Sequence, residues 1–378
     1  MKKILIAVFT LFSIWVSAQE NGSIKPEDEY SFLRPEILYE DGPKLYANLY
    51  LHTFFKNNEY FGDFIKGYTL TGWHFQPEIT FNVHRQLKIQ AVWNVLNYNG
   101  YGSCSENKIY PRIVFKPKEC FTLVCGCLEG NVRHRMTEPV YNPERYYTDN
   151  VENGLQFLLK TIRYDGDMWL NWEKFILWDD PWQEKLTFGH RSDFSVIKKE
   201  RFRADITGEI LISHRGGQID SSPEEMQSLE NGAAGLKLHF FGKEDKTFRQ
   251  LTLQSEFVQF HAISSTPDIP YSDGFAFYNK VFLKTGCFGF TCGYWYGDRF
   301  MNFRGDRLFT SQAINPENNV RKRNMIFSGL YFYKKYFSDS FILKTGADSY
   351  FDIQKGNMEY SYMLSLIYCA GKGFLKNK

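Results

Sequence analysis

The side chains in this sequence that could do chemistry are charged residues recurring at every second position. Glu78, Arg112, Glu152, Glu173, Arg191, Asp193, Arg203, Asp205, Glu209, Arg215 and Glu256 each fall on the polar side of an alternating stretch. Both signs occur on neighbouring stretches, and two consequences follow. The charges can pair with one another and hold a wall, or opposed acidic and basic patches can set up a transverse field that orients polar solutes moving between them. Neither role needs covalent chemistry. The sequence carries no G-x-S-x-G elbow, no H-E-x-x-H, no P-loop and no dinucleotide fingerprint between a strand and a helix. His134 stands beside Arg133 and Arg135, while His190, His214, His239 and His261 lie in separate stretches. Ser213 and His214 are adjacent, so on a strand they point to opposite faces and make a poor nucleophile–base pair. Asp179 with Asp180, and Asp298 with Asp306, are acids in polar segments whose ordinary state is solvation. The reading assigns no catalytic residue, no metal and no cofactor, and treats the charged face as the lining of a lumen.

The elements that must carry these residues are long strands. Leu186, Phe188 and His190 share one face, with Thr187, Gly189, Arg191 and Asp193 on the other. After 197–200 the alternation resumes, with Phe202, Ala204, Ile206, Gly208, Ile210 and Ile212 set against Arg203, Asp205, Thr207 and Glu209. An apolar–polar alternation over roughly ten residues exceeds the ~5–6 of a soluble strand and matches a tilted bilayer crossing. Such a sheet must close, because unpaired edge groups in hydrocarbon cost several kcal/mol each. The pattern predicts an all-β chain: a single transmembrane antiparallel β-barrel of about sixteen strands, with short periplasmic turns and longer extracellular loops.

Crossings are predicted at 45–55, 68–82, 87–98, 108–116, 120–129, 151–163, 167–178, two within 186–215, then 232–241, 248–261, 274–284, 287–296, 324–333, 338–351 and 358–370. Links near Arg85, Pro117, Asp165, Lys198, Lys243, Thr285 and Lys334 are short, whereas 130–150, 216–231 and 297–323 are long and polar. Pro77 interrupts the second crossing and, having no N–H for the ladder, predicts a bulge or irregularity.

The 378 residues include 35 Phe, 24 Tyr and 8 Trp, or 18% aromatic, yet the mean hydropathy is only −0.40. A barrel accommodates both by placing rings against lipid and in interfacial girdles while charges face inward. A net charge of +2 without a basic stripe excludes a nucleic-acid role. Lys2 and Lys3, an apolar run from Ile4 and the small-residue site Val16-Ser17-Ala18 predict a signal peptide over 1–18. Residues 19–44 then form a periplasmic lead-in, 45–370 the barrel and 371–378 a tail. The seven cysteines show neither a disulfide framework nor zinc spacing. They read as small strand side chains, with a bridge at Cys104 or Cys120 as the alternative.

The segment Val16-Ser17-Ala18-Gln19, the aromatic-rich hairpins, and Trp169-Leu170-Asn171-Trp172-Glu173-Lys174-Phe175-Ile176 followed by Pro181-Trp182-Gln183-Glu184 resemble uncharacterised outer-membrane β-barrel proteins of the Bacteroidota. That resemblance implies a porin-like, transport-related protein of the cell outer membrane. The expected function is therefore a non-enzymatic channel for passive passage of small polar solutes, in contact with outer-membrane lipids. The alternatives are a structural or surface-binding barrel whose long loops engage a partner, and a membrane lipid-modifying enzyme.

Overall fold

The computed structural model describes residues 26–34, 43–149, 151–217, 219, 221–243, 247–264 and 269–376, so the signal-peptide segment lies outside the described residues. Sixteen strands follow in order: β1 (Pro43–Glu59), β2 (Tyr68–His84), β3 (Leu87–Tyr98), β4 (Glu106–Lys118), β5 (Phe121–Cys127), β6 (Asn153–Lys160), β7 (Tyr164–Lys174) and β8 (Lys185–Lys198). The second half comprises β9 (Phe202–Arg215), β10 (Gln227–Phe241), β11 (Phe248–Ala262), β12 (Asp273–Thr285), β13 (Phe288–Asp298), β14 (Lys322–Tyr336), β15 (Phe341–Asp352) and β16 (Asn357–Lys376). Each pairs antiparallel with its sequence neighbours and β1 closes on β16, which leaves no sheet edge. Among the described residues no helix is long and apolar enough to cross a membrane.

Alternation sorts the side chains as the sequence predicts. Ile79, Ile89, Ile113, Ile206, Leu236, Phe257, Phe277, Phe290, Ile326 and Leu364 are exposed on the outer face, while Asn48, Glu78, Gln90, Arg191, Asp205 and Glu256 are buried inward. Polar residues inside and apolar residues outside invert the soluble pattern and match a barrel in lipid. The chain is an outer-membrane protein in contact with that membrane's lipids.

Three local expectations change. Pro77 causes no bulge: β1 pairs through it, Leu49 opposite Pro77, and the β2–β3 register is the same at Phe75–Val95 and Glu78–Val92. The missing N–H removes ladder bonds there without shifting the strand. β7 stops at Lys174, so Phe175 to Trp178 belong to an extracellular loop that Trp182 closes by donating its indole N–H to the Phe175 carbonyl at 3.1 Å. β16 runs to Lys376, because β1 starts early enough to pair Tyr46 with Gly373 and Ala47 with Lys372. Backbone pairing needs no apolar side chain, so the tail's composition was no guide. All seven cysteines are free.

The lumen is filled rather than left empty. The long loops β5–β6 (residues 128–152) and β13–β14 (residues 299–321) fold down into it, and Val140, Tyr141, Phe300, Met301, Leu308 and Phe309 pack with Trp169, Leu211, Tyr278, Trp295 and Phe327 of the wall. Thr137 donates its N–H to Glu209 at 3.0 Å, and Tyr278 donates its hydroxyl to Glu138 at 2.7 Å, placing the first loop at mid-barrel. From the periplasmic end, residues 26–34 of the lead-in enter as well, with Glu29 paired to Lys280 at 2.9 Å and Phe32 and Leu33 buried. Burial pushes the Glu29 carboxyl up to about 7 despite Lys280. Between plug and lead-in lies a polar cavity of 920 Å³, bounded by Glu27, Arg135, Asp165, Arg203, Lys237 and Lys335.

The plug predicts a core-like response inside a membrane protein. Phe309 is 2% exposed and stands 5.3, 5.5 and 5.6 Å from the rings of Trp295, Phe327 and Tyr278. Phe309→Ala is expected to cost about 3–5 kcal/mol. The check is the midpoint of thermal unfolding in detergent, where an unchanged midpoint would mean that the loop contributes no packing.

Candidate functional site

The predicted lumen residues all point inward, and the structure gives each a partner. Arg112 pairs with Glu78 at 3.0 Å and donates to Gln90 at 2.8 Å. Arg191 bridges Asp165 at 2.6 Å and Asp193. Arg203 meets Asp205 at 2.7 Å, and Lys237 meets Glu256 at 3.5 Å. Glu173 holds Lys185 at 3.3 Å and Arg304 of the plug, Glu209 takes the Thr137 N–H, and Arg215 reaches Glu224 at 3.2 Å on the rim. Low polarity around a buried charge makes such pairing obligatory, since removing one partner strands the other.

Glu152 belongs to a tighter group. His134 of the β5–β6 loop is 0% exposed, with Nδ1 at 2.8 Å from Asp167 and Nε2 at 2.7 Å from Glu152. Its ring stacks on Trp169 at 3.4 Å between centroids. Burial alone would push the imidazole down; the two carboxylates outweigh it and raise His134 to about 9. Burial likewise acts to raise Glu152, but the His134 charge holds it down at about 2. An imidazolium locked between two carboxylates and sealed from solvent braces the plug. It has no lone pair for accepting a substrate proton.

The accessible chemistry sits on the opposite side of the wall. His214, last but one in β9, and Ser228, second in β10, are direct cross-strand partners on the outer face. His214 Nδ1 lies 2.8 Å from Ser228 Oγ. The Ser228 N–H donates to Ser264 Oγ at 2.8 Å, and its carbonyl accepts from the Ile263 N–H at 2.9 Å, which fixes the serine backbone. On the next strands Gln259 donates to Glu230 at 3.1 Å, and His261 Nδ1 is 2.6 Å from Asp273, which also accepts from Ser272 at 2.8 Å. At about 4.8 Å per strand these groups span roughly 15 Å of rim from β9 to β12. Below them the outer face turns apolar through Ile206, Leu236, Phe257 and Phe277. A polar patch above a greasy wall suits a lipid whose headgroup and acyl chains part company at the membrane surface.

Adjacency on one strand had separated His214 from Ser213; the partner comes instead from the neighbouring strand, across the β9–β10 loop. The only signal in the sequence was register, which the loop length leaves open. Among the described residues no group of three or more His, Cys, Asp or Glu is placed to hold a metal.

The model of the family described as "Lipid A 3'-O-deacylase-type" matches residues 37–377. No curated protein matches the chain. Among solved structures, it is similar to OccAB2 of Acinetobacter baumannii, with 9% identity over 87% of this chain and 98% of that one and a TM-score of 0.51. A BenF-like porin from Pseudomonas fluorescens Pf-5 gives 8% identity, 87% and 99% coverage and a TM-score of 0.51. OprD of Pseudomonas aeruginosa gives 8%, 88%, 97% and 0.50. At these identities the likeness shows the fold alone. The family match overturns the resemblance to uncharacterised porin-like barrels, the passive channel for small polar solutes, and the expectation of no enzymatic activity. The physical reason is that a barrel assembles its groups from separate strands, so the lack of a short catalytic motif did not exclude an enzyme.

Proposed function

Because the chain belongs to the lipid A 3'-O-deacylase-type family, matched over residues 37–377, we propose that it hydrolyses an ester-linked acyl chain of a lipid A-type glycolipid in the outer leaflet. The observation that carries this reading is the Ser228–His214 pair, 2.8 Å apart on the outward face at the extracellular rim. An ester of an outer-leaflet lipid reaches that face without leaving the membrane, whereas the luminal groups are sealed behind the wall.

With Nδ1 unprotonated, His214 accepts the Ser228 hydroxyl proton as Oγ attacks the ester carbonyl carbon. The tetrahedral intermediate collapses, the sugar alkoxide leaves with the proton carried by His214, and the acyl group stays on Ser228. Water, deprotonated by the same imidazole, then releases the fatty acid. The hydrogen-bonded His261–Asp273 and Gln259–Glu230 groups are placed to bind sugar hydroxyls, and the apolar wall below them to hold the chain.

Incubating the purified protein in detergent with lipid A tests this. The expected result is free fatty acid together with a glycolipid lighter by one acyl group, both read by mass spectrometry. Intact lipid A after prolonged incubation with folded protein would refute the reading.

A further inference from the structure

The polar band that carries Ser228 and His214 does not end at β12. Further along the same extracellular rim Asp298, the last residue of β13, stands opposite Phe275 of β12 and Lys322 of β14 on the outer face. Arg299 and Arg321 both donate their Nε–H to one Asp298 oxygen, each at 3.3 Å. The Asp298 side chain is covered, at 8% exposure, whereas those of the two arginines stay 44% and 69% exposed. Among the described residues neither guanidinium spends an Nη group on a partner. Lys322 is exposed as well.

Three cations around one carboxylate leave positive charge over. Charge-assisted bonds of full strength run at about 2.7–2.9 Å, so two of 3.3 Å that share one acceptor anchor the guanidinium groups without saturating them. Asp273, which also feels the Arg299 charge, is already taken by His261 and Ser272. The backbone fixes the arrangement. Arg299 and Arg321 open and close the β13–β14 loop, and the Arg299 N–H donates to the Arg321 carbonyl at 2.6 Å. Arg299 lies in the left-handed region at φ 54°, which a residue other than glycine keeps only where its neighbours hold it there. β12 passes so close that a Cβ at Gly274 would lie 2.0 Å from the Arg299 carbonyl oxygen.

The wall beneath indicates the kind of anion. Phe275 packs with Phe257, Phe277 and Tyr296 at 6.0, 6.0 and 6.3 Å between ring centroids. Cations at headgroup level above a membrane-facing aromatic surface match a lipid whose charge sits at the interface. Two guanidinium forks and an ammonium suit a phosphate, with its three acceptor oxygens and up to two charges. β13 is three strands from β10, about 14 Å along the rim from Ser228, and the polar groups of β11 and β12 lie between. We propose that Arg299, Arg321 and Lys322 form a clamp for a phosphate monoester on the headgroup of the glycolipid that Ser228 attacks. The clamp rests on the hydrolytic reading and adds to it the headgroup chemistry that the protein selects.

The test reads binding without turnover, using the Ser228→Ala protein in uncharged detergent. Lipid A carrying its phosphates is expected to bind about 10- to 100-fold more tightly than lipid A stripped of them by a phosphatase, and the preference should fade as salt rises. Arg299→Gln combined with Arg321→Gln should abolish the preference and leave affinity for the stripped lipid unchanged. Equal affinity for the two lipids, or a preference that survives in the double variant, overturns the clamp. Millimolar inorganic phosphate should not displace the lipid; if it does, the site takes free phosphate and the lipid assignment falls. If the double variant does not fold, Lys322→Gln, which should reduce the preference, and the contrast between the two lipids decide. Phosphate-dependent binding without fatty-acid release by the wild-type protein would sink the hydrolysis and leave the clamp, whereas equal release from both lipids would sink the clamp alone.

Discussion

Ser228→Ala is expected to lower the rate of acyl release from lipid A by at least about 10³-fold, because it removes the attacking oxygen while leaving binding contacts in place. His214→Gln should lose about 10²–10⁴-fold, the usual worth of a positioned base. Both side chains are partly exposed on the outer face, so neither variant should shift stability by more than about 0.5 kcal/mol. The two together locate the chemistry. If His214 activated water directly, the His214 variant would be dead and the Ser228 variant nearly intact. If both variants kept wild-type rates, the rim pair would not be the active site, and the hydrolytic function would have to be sought elsewhere on the barrel.

The second large effect is on stability. His134→Ala leaves Glu152 and Asp167 buried and facing one another without their shared cation, at a cost of about 3–5 kcal/mol. The pH dependence follows from the two shifts. His134 rises from 6.5 to about 9 in the folded state, so its contribution is full below 6.5 and lost as pH climbs through 9. Glu152 falls from 4.5 to about 2, so its contribution is full above 4.5 and lost as pH drops through 2. Thermal stability in detergent should therefore form a plateau between 4.5 and 6.5 and decline on both sides. His134→Ala should lower that plateau and remove the alkaline decline. An alkaline limb that persists in the variant would assign the transition to another group.

The strand content was legible because lipid and water impose opposite demands on the two faces of one sheet. In β8 and β9, Phe188, Phe194 and Ile206 face out while Arg191, Asp205 and Glu209 face in. The short link near Lys198 likewise announced a hairpin that the structure contains, whereas the hairpin expected to turn at Asp165 turns at 161–163, with Asp165 already in β7 opposite Lys160. Pro77 misled locally, since a lost N–H weakens one ladder without moving its register. The loops misled more. Residues 130–150 read as polar and external, yet Val140 and Tyr141 lie in the apolar core and His134 closes a buried ion triad.

By itself the sequence determined a membrane barrel of sixteen crossings and the inward course of its charges. Period-two patterning is a local property, which each strand displays whatever its neighbours do. The filling of the lumen by residues 128–152 and 299–321, and the meeting of His214 with Ser228, were decided only in the tertiary structure. Both depend on which residues of distant or loop-separated segments come to stand opposite one another. That register is set by closure of the whole sheet and by the packing of the plug inside it, and no single stretch of chain encodes it.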